Sequence, residues 1–120
     1  MTHPVIARRQ AERDARLDVA RRWAAGLALR IDVLAVVVVG SVARGDVNKW
    51  SDLDVLVVAD GLPADGRHRL DLLGIGAPPG LQPVGWAGAE LRSRRACRDP
   101  IALDADQVGV VVCGALPVGA

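Results

Sequence analysis

Two kinds of hydrophobic pattern alternate along this 120-residue chain. From about Val5 to Leu29 the apolar positions recur at helical spacing. Val19, Trp23 and Leu27 fall at i, i+4 and i+8, with Ala20 and Ala24 beside them. That stripe predicts one long helix packed on a sheet. Its exposed side carries Glu12–Arg16 and Asp18–Arg22 in the acid-before-base i, i+4 order that supports a solvated helix face. Trp23 reads as a packing residue rather than a platform for a ligand.

The second pattern is a continuous apolar run without alternation, as in Val33–Val39 and Leu53–Val58. Such runs predict strands buried on both faces. Gly40-Ser41 ends the first run, a short helix begins at Val42–Arg44, and Gly45–Ser51 is a loop. Asp60-Gly61 stops the second run, and Pro63–Leu73 predicts another, shorter helix. Glycines and prolines break Gly74–Pro83 into loop. Gln82–Trp86 predicts a short third strand, which Pro83 places at a sheet edge. Ala89–Arg98 reads as a helix with its basic side in solvent. Asp99-Pro100 supplies an N-cap and a first helical residue for Ile101–Gln107, and Val108–Cys113 is a final strand. The order of elements is α/β.

Composition narrows the class. The length suits a single small domain spanning residues 1–120, with no room for a separate acceptor domain. Half of the residues are apolar, but Phe and Tyr are absent, so the core falls to Val, Leu and Ala. A net charge of +1 gives no electrostatic case for nucleic acid or a membrane surface. Arginines crowd the first quarter (Arg8, Arg9, Arg13, Arg16, Arg21, Arg22 and Arg30), where a solvated face is the expected reading. Cys97 and Cys113 form no CxxC, and His3 and His68 are too isolated to build a metal site. The N-terminus lacks the apolar core of a signal peptide, and Val33–Val39 is too short to span a bilayer. A soluble, cytoplasmic protein is expected.

The chemistry concentrates in Val36–Val58. Asp52 and Asp54, two apart at the start of a strand, project to the same side and repel unless a cation lies between them. Mg²⁺ is the natural cation, since it takes oxygen ligands from one or two carboxylates plus substrate phosphates. Gly40 allows close backbone approach, and the turn after it presents N–H groups and the Ser41 hydroxyl to an anion. Arg44, one turn on, can reach a phosphate, and Lys49 is a looser candidate. Each half alone is weak: Asp52 could cap a loop, and Arg44 could be a surface charge. In this order, flanked by two buried strands, the combination is a specific signal, and a nucleoside triphosphate with Mg²⁺ would bridge its two halves.

Gly40-Ser41-Val42-Ala43-Arg44-Gly45 followed by Ser51-Asp52-Leu53-Asp54 resembles the signature of the minimal nucleotidyltransferases of the DNA polymerase β superfamily. The resemblance implies a nucleotidyltransferase fold, a small mixed sheet of about four strands with helices packed on it. It also implies transfer of a nucleoside monophosphate, foremost AMP from Mg-ATP, to a hydroxyl of a protein or small molecule. Gly40, Ser41 and Arg44 would hold the nucleotide, and Asp52 and Asp54 would be the catalytic metal ligands. Such proteins are often paired with small helical HEPN-domain proteins, some as antitoxins, so the implied partner is a HEPN-type protein or a second copy. Catalytic members carry a third carboxylate on the next strand, where this chain has Gln82. Asp71 and Glu90 read as solvated helix positions, and Asp104 and Asp106 as surface. The alternative reading is therefore a nucleotide-binding regulatory or antitoxin subunit with little catalysis; a third is a vestigial site.

Overall fold

The computed structural model describes residues 3–46 and 52–119. Lys49 and Ser51 lie outside the described residues. The two uninterrupted apolar runs become the central strands, β1 (Ala35–Val39) and β2 (Leu53–Val58). Every residue of β1 is buried, and in β2 Asp54 alone is not. They pair antiparallel, Val39 opposite Asp54. β3 (Leu81–Trp86) runs parallel to β2, and β4 (Val110–Gly114) runs antiparallel to β1. The sheet order is β3-β2-β1-β4, a mixed four-stranded sheet with the Pro83-containing strand at one edge, as its missing N–H requires.

Among the described residues, five helices cover the sheet: α1 (Pro4–Ala28), α2 (Gly40–Arg44), α3 (Gly66–Gly74), α4 (Gly88–Ala96) and α5 (Pro100–Gln107). Strand alternation sorts the core into two layers. Val36, Val38, Val55 and Val57 pack against Leu17, Ala20, Trp23 and Leu27 of α1 and Leu73 of α3. Ala35, Val37, Val39, Leu56 and Val58 pack on the other face with Leu91 of α4 and Ala102 and Ala105 of α5. The small residues of α5 let its backbone lie close to the sheet. Among the described residues, no helix is long and apolar enough to cross a membrane.

The departures from the predicted elements have local causes. The buried stripe of α1 runs through Leu17, Ala20, Trp23, Ala24 and Leu27, leaving Val19 half-buried. Asp18 pairs at 2.9 Å with Arg21, one residue nearer than expected. α3 begins only at Gly66, where Asp65 caps it by accepting from the Arg67 amide. β4 starts at Val110 rather than Val108, because the amides of Val108 and Gly109 still donate to the Asp104 carbonyl and so finish α5. A Cβ at Gly109 would meet that helix at the Ala105 carbonyl, 2.5 Å away.

Candidate functional site

The site is built where β1 ends and β2 begins. Gly40 follows the last buried valine with φ +71, in the left-handed region that favours glycine. A Cβ there would lie 2.6 Å from Asp54 Oδ2, so the Asp54 carboxylate occupies the space that the missing side chain leaves. Two independent constraints thus demand glycine. The chain then makes the single turn of α2, with Ser41 half-buried at its start and Arg44 at its end. Gly45 at φ +86 closes the turn, with its amide on Val42 O (3.2 Å) and the Asp46 amide on Ser41 O (2.9 Å).

α2 is also held from behind. Arg13 of α1 donates through Nε to Val42 O (3.0 Å) and through Nη2 to Ala43 O (3.1 Å). The end of so short a helix leaves carbonyls short of donors; Arg13 supplies one to Ala43 O and a second to Val42 O, which also takes the Gly45 amide. The arginine-rich face of α1 is therefore not wholly a solvated face. Arg13 leaves no periodic signal, because its partners are backbone atoms about thirty residues away.

Asp54 lies on the face of β2 shared by Leu56 and Val58, the face covered by α4 and α5. Burial, foremost, pushes its carboxyl above the usual aspartate range; the negative charges of Asp52 and Asp104 push the same way, and Arg44 opposes them. Asp52 stands exposed, just ahead of β2. Gln82 is the register partner of Asp54 on β3. It occupies the strand position adjacent to Asp54, and its side chain is neutral. Gly40, Arg44, Asp54, Gln82 and Asp104 rim one cleft of about 390 Å³, whose walls include Val39, Val84 and Ile101.

Asp104 corrects the expectation of a surface acid. Its side chain is 27% exposed, and one oxygen, Oδ2, accepts both the Gly40 amide (3.0 Å) and Arg44 Nη1 (2.7 Å). Ala102 and Ala105 seat α5 on the face to which Asp54 belongs, and that seating carries Asp104 to the end of β1. The signal that could have found it is indirect: two buried alanines spaced for one helix face, with an acid beside them. Asp106 instead pairs with Arg95 at 2.7 Å. Glu90 is also more than a solvated helix position. It is half-buried, accepting from Arg69 (2.9 Å) and from the Ala87 amide (3.2 Å). Asp71 is exposed, as expected.

The spacing from Gly40 to Asp54 is matched at the level of family. The profile described as "Nucleotidyltransferase domain" matches residues 16–77, just over half of the chain. The chain belongs to the nucleotidyltransferase domain family. The match takes in α2, Asp52 and Asp54 and stops short of Gln82 and Asp104. Two solved structures share the nucleotidyltransferase fold. One, from Sulfolobus solfataricus, is described as a candidate nucleotidyltransferase. It superposes with a TM-score of 0.66 at 20% identity, covering 86% of this chain and 84% of that one. The other is a toxin–antitoxin with AMP-PNP, with a TM-score of 0.55 at 20% identity over 79% of this chain and 73% of that one. No curated protein matches the chain.

The donor set can be weighed for a divalent cation. Asp52 and Asp54 offer hard carboxylate oxygens from the same strand end, the chemistry that Mg²⁺ takes. Burial and then the negative charges of Asp52 and Asp104 raise Asp54, and that charge is what a cation would relieve. Among the described residues, no three His, Cys, Asp or Glu side chains group as a metal cluster.

Proposed function

We propose that this nucleotidyltransferase-family protein binds a nucleoside triphosphate with Mg²⁺ in the cleft between α2 and β2 and transfers its nucleoside monophosphate to a hydroxyl. The observation that carries the reading is the contact between the Gly40 backbone and the Asp54 carboxylate, with Arg44 on the same rim. It supports the reading because the Gly40 backbone, proposed to meet phosphate, lies close to the carboxylate proposed to meet the metal. Gly40, Ser41 and Arg44 hold the polyphosphate, and Asp52 and Asp54 hold the metal. Bound Mg²⁺ would neutralise charge on the transferring phosphoryl group and on the leaving oxygen. In the transfer, the acceptor oxygen bonds to the α-phosphorus, the bond to the bridging oxygen breaks, and pyrophosphate leaves. The chain's own part is positioning and charge complementarity.

The hydroxyl proton is where this chain departs from a full catalytic set. Gln82 stands beside Asp54 and cannot accept a proton as a base. In an active protein the proton would go to water or to a basic group on the acceptor. The same observation favours a second reading, a nucleotide-binding regulatory or antitoxin subunit with little transfer activity. The toxin–antitoxin neighbour supports a protein partner for either reading. A HEPN-type helical protein is the partner the sequence motif suggests, and AMP the first candidate group for transfer to it.

Incubating the protein with Mg²⁺ and ATP labelled at the α-phosphate, in lysate of the source organism, tests transfer directly. A discrete labelled acceptor, lost with Asp52→Ala, is the expected result. Intact Mg-ATP binding without label would make the regulatory reading the correct one. Absence of Mg-ATP binding as well would leave a vestigial site.

A further inference from the structure

The two groups that the nucleotide reading assigns to phosphate already share an acceptor inside the protein. Asp104 Oδ2 takes the Gly40 amide at 3.0 Å and Arg44 Nη1 at 2.7 Å. One anionic oxygen accepting from a backbone amide and a guanidinium is the arrangement a phosphate oxygen adopts in such a site. We infer that Asp104 is a built-in occupant of the phosphate position, and that a nucleotide's polyphosphate binds by displacing this carboxylate from Gly40 and Arg44. The inference rests on the nucleotide reading of the site and adds to it a competitor carried by the chain.

The alternative role, a replacement for the third carboxylate, fits the geometry less well. Asp104 is tied to cationic and N–H donors, and among the described residues it joins no cluster of three metal-type side chains. Displacement needs only a rotation of its side chain. The helix that carries it is anchored by buried Ala102 and Ala105 and by the pairing of Asp106 with Arg95 of α4. A polyphosphate on Gly40 and Arg44 would also set like charges side by side, which expels the carboxylate rather than sharing the donors with it. Without nucleotide, Asp104 neutralises Arg44 and gives the Gly40 amide a partner.

Calorimetric titration of the full chain with Mg-ATP, as wild type, Asp104→Asn and Asp104→Ala, tests this. Removing the competitor should tighten binding by about tenfold in Asp104→Ala, with Asp104→Asn between it and wild type because the amide oxygen still accepts. Equal or weaker binding by a folded Asp104→Ala, with wild type binding, would overturn the inference and leave the nucleotide reading intact. No binding by wild type or variants would overturn both. A second measurement avoids any variant: the carboxyl carbon resonance of Asp104 in the wild type should shift together with the Gly40 amide on adding Mg-ATP. Nucleotide binding that leaves the Asp104 signal unmoved would count against displacement.

Discussion

At the scale of single residues, Asp54 concentrates the energetics of the site. It interrupts an otherwise fully buried strand, and burial together with the nearby charges of Asp52 and Asp104 raises its pKa. The folded state therefore holds the Asp54 proton more tightly than the unfolded chain does. The stability linked to this group is present at acid pH and is lost as pH rises from the ordinary aspartate range through the raised value. Thermal melts across that window should show wild type losing stability relative to Asp54→Asn, which cannot titrate, and a parallel pair of curves would refute the assignment. Mg²⁺ affinity of the wild type should rise over the same window, since the cation competes with the proton. Gln82 yields a second expectation. If its position beside Asp54 is the place of the missing base, Gln82→Asp should raise label transfer by about tenfold or more. A folded variant with no gain would show that the amide is not what limits the reaction. The places of Gly40, Ser41 and Arg44 on a turn and of Asp54 on the strand after it were legible in the sequence, because a turn between two apolar runs fixes their order and spacing; Gln82 followed from the third predicted strand. Asp104 was not legible, since no local pattern ties a helix acid to a turn 64 residues earlier.

Among the elements, α2 is the one whose stability is borrowed. A single helical turn cannot persist by itself. It is secured by the glycine at its end, by buried Val42 and Ala43, and by Arg13 on its last carbonyls. Arg13→Ala leaves the Val42 and Ala43 carbonyls without that donor, at a cost of about 1–3 kcal/mol in urea unfolding. Arg13→Lys should recover little of this, because a lysine lacks the planar fork that spans two acceptors. Mg-ATP affinity should fall in both variants, as the turn that carries Gly40 and Ser41 loosens; undiminished affinity would mean that α2 holds its shape without α1. Strand positions, the edge placement of β3 and the capped start of α5 followed from side-chain pattern and from proline and aspartate chemistry. Helix and strand ends were less legible, as Val108 and Gly109 show, where backbone hydrogen bonds rather than side-chain type decide where α5 stops.

For the whole molecule, one sheet serves two helical layers, and each layer contains a tryptophan. Trp23 is buried on the α1 side, and Trp86 is buried on the α4–α5 side, where Arg94 lies over its ring. Because β1 and β2 contribute alternate residues to both layers, the two layers share the same central strands. Single-tryptophan variants retaining Trp23 or Trp86 should report the same urea midpoint. Separate midpoints would show that the layers come apart in turn. The α/β class was legible from the order of elements, whereas the assignment of helices to faces was not, since it depends on long-range pairing. That pairing also has a consequence in time. A chain leaving the ribosome presents Gly40 through Asp54 early, yet β1 lacks one neighbour until β4 emerges, and the Gly40 amide lacks its carboxylate partner until α5 does. The residues that carry the chemistry are thus made before the elements that organise them, so synthesis arrested before Val110 would yield the motif on an incomplete sheet, a species for chaperones rather than for nucleotide.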